Sequence, residues 1–137
     1  MNLHQSYHLT LLAEAYGQVG QPAPGLALLV EAQALADQGE LRHYDAELYR
    51  LKGELLLLQG EEQVGVEANF RQAMHIARRR AAKALELRAA ISLSRLLQKQ
   101  DRRDEARQIL AEVYGWFSEG SDTADLQEAQ ALLQTLA

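Results

Sequence analysis

The chain has 137 residues, the length of one small domain, with 14 basic against 19 acidic residues and a net charge of −5. Ala, Leu, Glu, Gln and Arg make up most of it, whereas Val, Ile and Thr are few; the first set loses little rotamer freedom in a helix, which excludes a sheet protein. The acidic balance argues against general nucleic-acid binding, the lack of cysteine excludes disulfides and thiolate chemistry, and 47% hydrophobic residues with two prolines exclude a disordered or collagenous chain.

Seven helices follow from apolar residues recurring at helical spacing. The first covers 4–19, where Leu9, Leu12, Ala13, Tyr16 and Val19 share a face. The second, 23–38, uses Leu28, Leu29, Ala32, Leu35 and Ala36; the third, 42–59, uses Leu48, Leu51, Leu55 and Leu58. Phe70, Ala73, Met74 and Ala77 mark the fourth, 62–80. The fifth, 82–99, carries Leu85, Ala89, Leu93, Leu96 and Leu97, and the separation at 80–82 is the weakest of the boundaries. Ala106, Ile109, Leu110, Val113 and Phe117 define the sixth, 102–118. Gly120 suits its C-terminus, and Asp122 or Thr123 suits the N-cap of the seventh, 123–136, whose stripe is Leu126, Ala129, Leu133 and Leu136.

The helices repeat in pairs. Residues 11–36, 50–77 and 92–117 each read as helix, polar turn, helix. The turns carry Gly20, Gly60 and Asp101. Small or slim residues follow at Gly25, Val66 and Ala106, then large ones at Leu29, Phe70 and Leu110, then Ala32, Ala73 and Val113. The unit therefore recurs at a spacing of about 40 residues, long for a helical-pair repeat. The expected architecture is all-α. Three antiparallel pairs (about 4–40, 41–80 and 81–118) and a capping helix (122–136) form one domain over 1–137, a short right-handed solenoid.

Tyr16 with Gly20, Gly53 with Gly60, and Ala106 with Leu110 stand where the tetratricopeptide repeat has its signature residues, and the pattern resembles that repeat at a longer spacing. Phrases such as LLAEAYGQVGQPAPGLALL and VYGWFSEGSDTADLQEAQALL are similar to the C-terminal repeat region of large bacterial proteins. In those, a nucleotide cyclase or DNA-binding domain precedes a signalling-type ATPase. No GxxxxGK[ST] phosphate loop is present here, so what the resemblance implies is the repeat module alone, a sensing or interaction arm.

In stacked pairs the first helix of each pair lines a concave groove. Its expected residues are Tyr7, Thr10 and Glu14, then Glu47, Arg50 and Glu54, then Arg88, Ser92, Arg95 and Lys99, acidic at one end and basic at the other. The expected partner is a protein or peptide, with an anionic segment meeting Arg88, Arg95 and Lys99. The paired Lys and Asn of a carboxylate clamp are not on these faces, since the two Asn are Asn2 and Asn69.

Other polar residues have plainer readings. His4 and His8 are four apart but lack a third ligand, and His43 and His75 lack catalytic neighbours, so no metal, cofactor or enzymatic activity is expected. Arg78, Arg79, Arg80 and Lys83 close the fourth helix, where cations offset the macrodipole, and Glu61-Glu62 and Asp104-Glu105 open helices. Phe117 is expected in the core, with Trp116 at the joint with the seventh helix or anchoring a partner. The N-terminal MNLHQSYHLT lacks a signal peptide's basic start and apolar core, and Leu55 to Leu58 is too short an apolar run to span a bilayer, which points to the cytoplasm. Three uses fit such a chain: a non-catalytic interaction scaffold, a self-assembling element forming a homodimer, and a small-molecule sensor with a pocket between helices.

Overall fold

A computed structural model describes residues 3–38, 44–117 and 123–137, with the side chains of 3–6 and 38 outside that description. Among the described residues seven helices run in chain order: α1 Leu3–Gln18, α2 Pro22–Gln38, α3 Asp45–Leu58, α4 Gln63–Arg79, α5 Lys83–Lys99, α6 Arg103–Tyr114 and α7 Ala124–Leu136. Among the described residues there is no strand. The chain is all-α, as its composition requires. Gly120, Asp122, His43 and the expected start of the third helix at residue 42 lie outside the described residues.

Local chemistry explains the boundaries. Pro22 stands first in α2, where its missing N–H is no loss. Gly20 and Gly60 adopt positive φ of 75° and 81°, and so do Ala81 at 55° and Asp101 at 61°. At each, the next amide donates back across the helix end: Gln21 to Tyr16 O, Glu61 to Leu56 O, Ala82 to Ala77 O and Arg102 to Leu97 O. These left-handed caps satisfy carbonyls that the helices leave unpaired. Ala81 is the cap that separates α4 from α5. The sixth helix ends earlier than its apolar pattern, at Tyr114. Gly115 is a poor helix former, and beyond it Trp116 and Phe117 donate to Val113 O and Tyr114 O, three residues back rather than four. Thr123 caps α7, its side chain accepting from the Leu126 amide at 3.2 Å.

Consecutive helices pack on one another, and α3 also touches α1 while α5 touches α3 and α7. Two apolar clusters result. The smaller joins Ala13, Leu29, Ala32 and Ala36 to Leu48, Leu51 and Leu55. The larger runs from Val66 and Phe70 through α5 to Leu110, Val113, Leu126 and Leu136. Small residues set the approach distances: a Cβ at Gly53 would stand 2.5 Å from the Phe70 ring, and one at Gly17 would stand 2.7 Å from Leu55 Cδ2.

The expected stripes are mostly buried, with three exceptions. Leu12 and Val19 on the first helix, and Leu58 on the third, are exposed. Leu58 sits in the last turn of α3, beside the exposed turn residues Gln59 and Gly60. Leu12 and Val19 sit on the edge of the α1 stripe away from buried Ala13, where no described helix covers them.

Candidate functional site

Side chains of α1, α3, α5 and α7 bring one polar recess together. It has a volume of about 340 Å³ and is lined by Glu14 and Gln18 of α1, Arg50 of α3, Arg88, Ile91, Ser92 and Arg95 of α5, and Asp125 and Glu128 of α7. Glu47 lies beneath it. This carboxylate is buried, and Arg50 grips it with both arms, Nε to Oε1 and Nη2 to Oε2, each at 2.8 Å. Arg88 Nη1 donates to the same Oε2 at 2.6 Å. Paired planar guanidinium contacts of this kind are the strong form of ion pair.

The network continues outwards. Glu14 lies 3.6 Å from Arg50 and 3.8 Å from Arg88, and Asp125 lies 3.5 Å from Arg88. Arg50 Nη1 donates to Ser92 Oγ at 3.4 Å, and Arg95 pairs with Glu128. Burial by itself would raise the Glu47 pKa, but the hydrogen bond from Arg50 and the charges of Arg50 and Arg88 outweigh it and hold the carboxyl below its ordinary value. Burial would lower the Arg50 pKa, but the hydrogen bond to Glu47 and the charges of Glu47, Glu54 and Glu14 outweigh it and raise it.

Of the residues expected to line the groove, the recess gathers Glu14, Arg50, Arg88, Ser92 and Arg95. Glu47 joins through its ion pairs, and Glu54 through its charge on Arg50. Thr10 is buried rather than presented to a partner. Tyr7 is exposed, 5.6 Å from the Tyr44 ring, and Lys99 is exposed. The expected split into an acidic and a basic end is replaced by alternation, because carboxylates on neighbouring helices neutralise the arginines. Sequence reasoning missed Asp125 and Glu128, having treated α7 only as a lid. The signal was the spacing: Arg88 follows Glu47, and Glu128 follows Arg88, at about the 40-residue interval of the sequence pattern and with opposite charge.

Other charged residues act elsewhere. Arg78 pairs with buried Glu86 at 2.8 Å, and its guanidinium lies 5.5 Å from the centre of the Trp116 ring, so Trp116 is fixed against α4. Phe117 is half-buried against the larger core. Arg102 and Arg71 share Glu67 and Glu105 across α4 and α6. A separate cleft of about 490 Å³ opens between α2 and α3, lined by apolar Leu26, Leu29, Val30, Ala34 and Leu48 together with Gln33, Asp37, Tyr49 and Lys52. His8 and His75 are exposed, and among the described residues no group of three or more His, Asp or Glu is placed to hold a metal ion. Among those residues no helix is long and apolar enough to cross a membrane.

No known protein family, no curated protein and no solved structure matches this chain.

Proposed function

We propose that the chain is a non-catalytic repeat module of the tetratricopeptide kind that binds a protein or peptide segment. In this reading three antiparallel pairs and α7 form a short right-handed solenoid. The module serves as the sensing or assembly arm of a bacterial signalling protein in the cytoplasm. The observation that carries the reading is the convergence of side chains from α1, α3, α5 and α7 on one open polar recess. Helices set side by side offer successive charges along a line, which suits an extended segment crossing them.

The charge pattern defines the segment. Glu14, Glu47, Glu54, Asp125 and Glu128 stand against Arg50, Arg88, Arg95 and Lys99, which favours a segment of alternating charge over a uniformly anionic one. Arg50 and Arg88 are held by partly buried carboxylates, whereas Arg95 is exposed and among the described residues pairs only with the half-exposed Glu128, so an anionic group of the partner is expected at Lys99 and at Arg95, where it would displace Glu128. Such contacts set orientation and association rate more than affinity, and they weaken as salt rises.

A peptide library selected on the purified chain tests this, with hits measured by calorimetry at low and high salt. The double variant Arg95→Glu with Lys99→Glu is expected to lower affinity roughly tenfold or more for hits that carry acidic residues. Unchanged binding with unchanged helicity would remove the recess from consideration. Arg88 is a poor choice for this test, because a glutamate there would meet Glu14, Glu47 and Asp125 and disturb the fold. A second reading, a small-molecule sensor, is favoured by the apolar cleft between α2 and α3, whose size falls in the range of ligand pockets. A thermal-shift panel of apolar compounds checks it: stabilisation lost in Val30→Glu supports a ligand there.

A further inference from the structure

Building on the reading of the α2–α3 cleft as a small-molecule site, we propose that its ligand is an amphipathic monocarboxylate, an extended acyl chain whose head group meets Lys52 and Tyr49. The cleft measures about 490 Å³ and joins Leu29 and Leu48, both buried, to Val30, which is 72% exposed. Covering such aliphatic surface is favourable, and an apolar ligand body does so. The lining on α2 runs from Leu26 to Asp37, about 16 Å at 1.5 Å per residue, which suits an extended chain better than a compact ring.

Two donors set the head group. Among the described residues the Lys52 ammonium makes no ion pair or hydrogen bond, and the Tyr49 hydroxyl makes no hydrogen bond. They stand three residues apart on α3 and so share one side of the helix. The carboxylate of the cleft, Asp37, already accepts from Gln33 Nε2 at 3.0 Å. A ligand carboxylate fits these groups, one oxygen taking the ammonium and the other the phenol. One lysine balances one negative charge. A phosphate head carrying nearly two would leave charge uncompensated, with Asp37 lining the same cleft. A cationic head would face Lys52.

The sequence pattern singles out this joint. Forty-one residues on, Phe70 of α4 and Ala89, Ala90 and Leu93 of α5 stand at the places of Leu29, Leu48, Tyr49 and Lys52, and all four are fully buried. There apolar side chains of the chain close over these positions. Between α2 and α3 a leucine stands where the next interval has the Phe70 ring, and the polar Tyr49 and Lys52 stand where it has Ala90 and Leu93. Space is left at this joint, and hydrogen-bond donors line it.

Calorimetry of the full chain with decanoate, decanol and protonated decylamine, each below its micelle-forming concentration, is the test, with circular dichroism as the folding control. Decanoate is expected to bind roughly tenfold more tightly than decanol, and decylamine more weakly than either. Lys52→Gln, at an exposed position, should bring decanoate down to the decanol level and leave decanol unchanged. Lys83→Gln, at an exposed position outside the cleft, should change neither. Equal binding of decanoate and decanol, or no effect of Lys52→Gln, overturns the carboxylate assignment and leaves the cleft as an apolar ligand site. An equal loss in Lys83→Gln overturns it too, since the chain would then be collecting decanoate through scattered surface charge. If none of the three binds, or if Val30→Glu leaves their binding intact, the small-molecule reading of the cleft falls with it.

Discussion

Two backbone positions illustrate how much a single residue decides. Gly53 lies inside α3, where Ala would ordinarily gain about 1 kcal/mol of helix propensity. The Phe70 ring is fully buried and 2.5 Å from the Cβ that Ala would add, so the helix gain is overwhelmed. Gly53→Ala is expected to destabilise the fold by roughly 1–3 kcal/mol, read from urea unfolding, and an unchanged midpoint would refute the close packing. Ala81 shows the opposite case. Its φ of 55° strains any side chain, so Ala81→Gly should stabilise by about 1 kcal/mol and raise Tm. A lower Tm would mean that the α4–α5 cap does not take this form.

The helices differ in what holds them. α1 and α2 meet through Ala13, Ala32 and Ala36 and bury little bulk, whereas α5 carries ten buried residues and α7 closes the larger core. Deleting 123–137 removes Leu126, Leu132 and Leu136 from that core. Burial of three such side chains contributes on the order of 5 kcal/mol, so the truncated chain is expected to lose cooperative thermal unfolding and to bind a hydrophobic dye. A truncated chain that unfolds as sharply as the full one would show that α7 merely rests on the surface. The same deletion removes Asp125 and Glu128, which ties recess and core to one element.

Across the whole molecule, ion pairs between helices link stability to pH. Glu47 is held below its ordinary pKa by Arg50 and Arg88 against the effect of burial. Arg102 and Arg71 outweigh burial at Glu67 in the same way, and their hydrogen bonds lower Glu105. A carboxyl whose folded pKa is depressed contributes stability that is present above its unfolded value, near 4.5, and is lost as pH falls through the folded value. Tm should therefore be level near neutrality and fall below about pH 4.5. Glu47→Gln should flatten part of that acid limb. It should also cost about 3 kcal/mol at pH 7, because Arg50 and Arg88 lose the charge between them. An unaltered pH profile in Glu47→Gln would assign the acid sensitivity to Glu67 and Glu105 instead.

The seven helices, their order and the turns at Gly20, Gly60 and Asp101 were legible in the chain alone, because helical period and capping depend on neighbours within a few residues. The repeat spacing was legible for the same reason, and it contained the pairing of Glu47 with Arg88. Tertiary structure decided which apolar positions are covered. Leu55 of α3 is buried beside Gly17 and Gly25, whereas Leu12 and Val19 of α1 are exposed, and periodicity is blind to that difference. It also decided that Arg50 and Arg88 are neutralised rather than free, and that α7 completes the recess. Those outcomes depend on contacts between residues a whole repeat apart, where the sum of charges and volumes, not the local pattern, sets the energy.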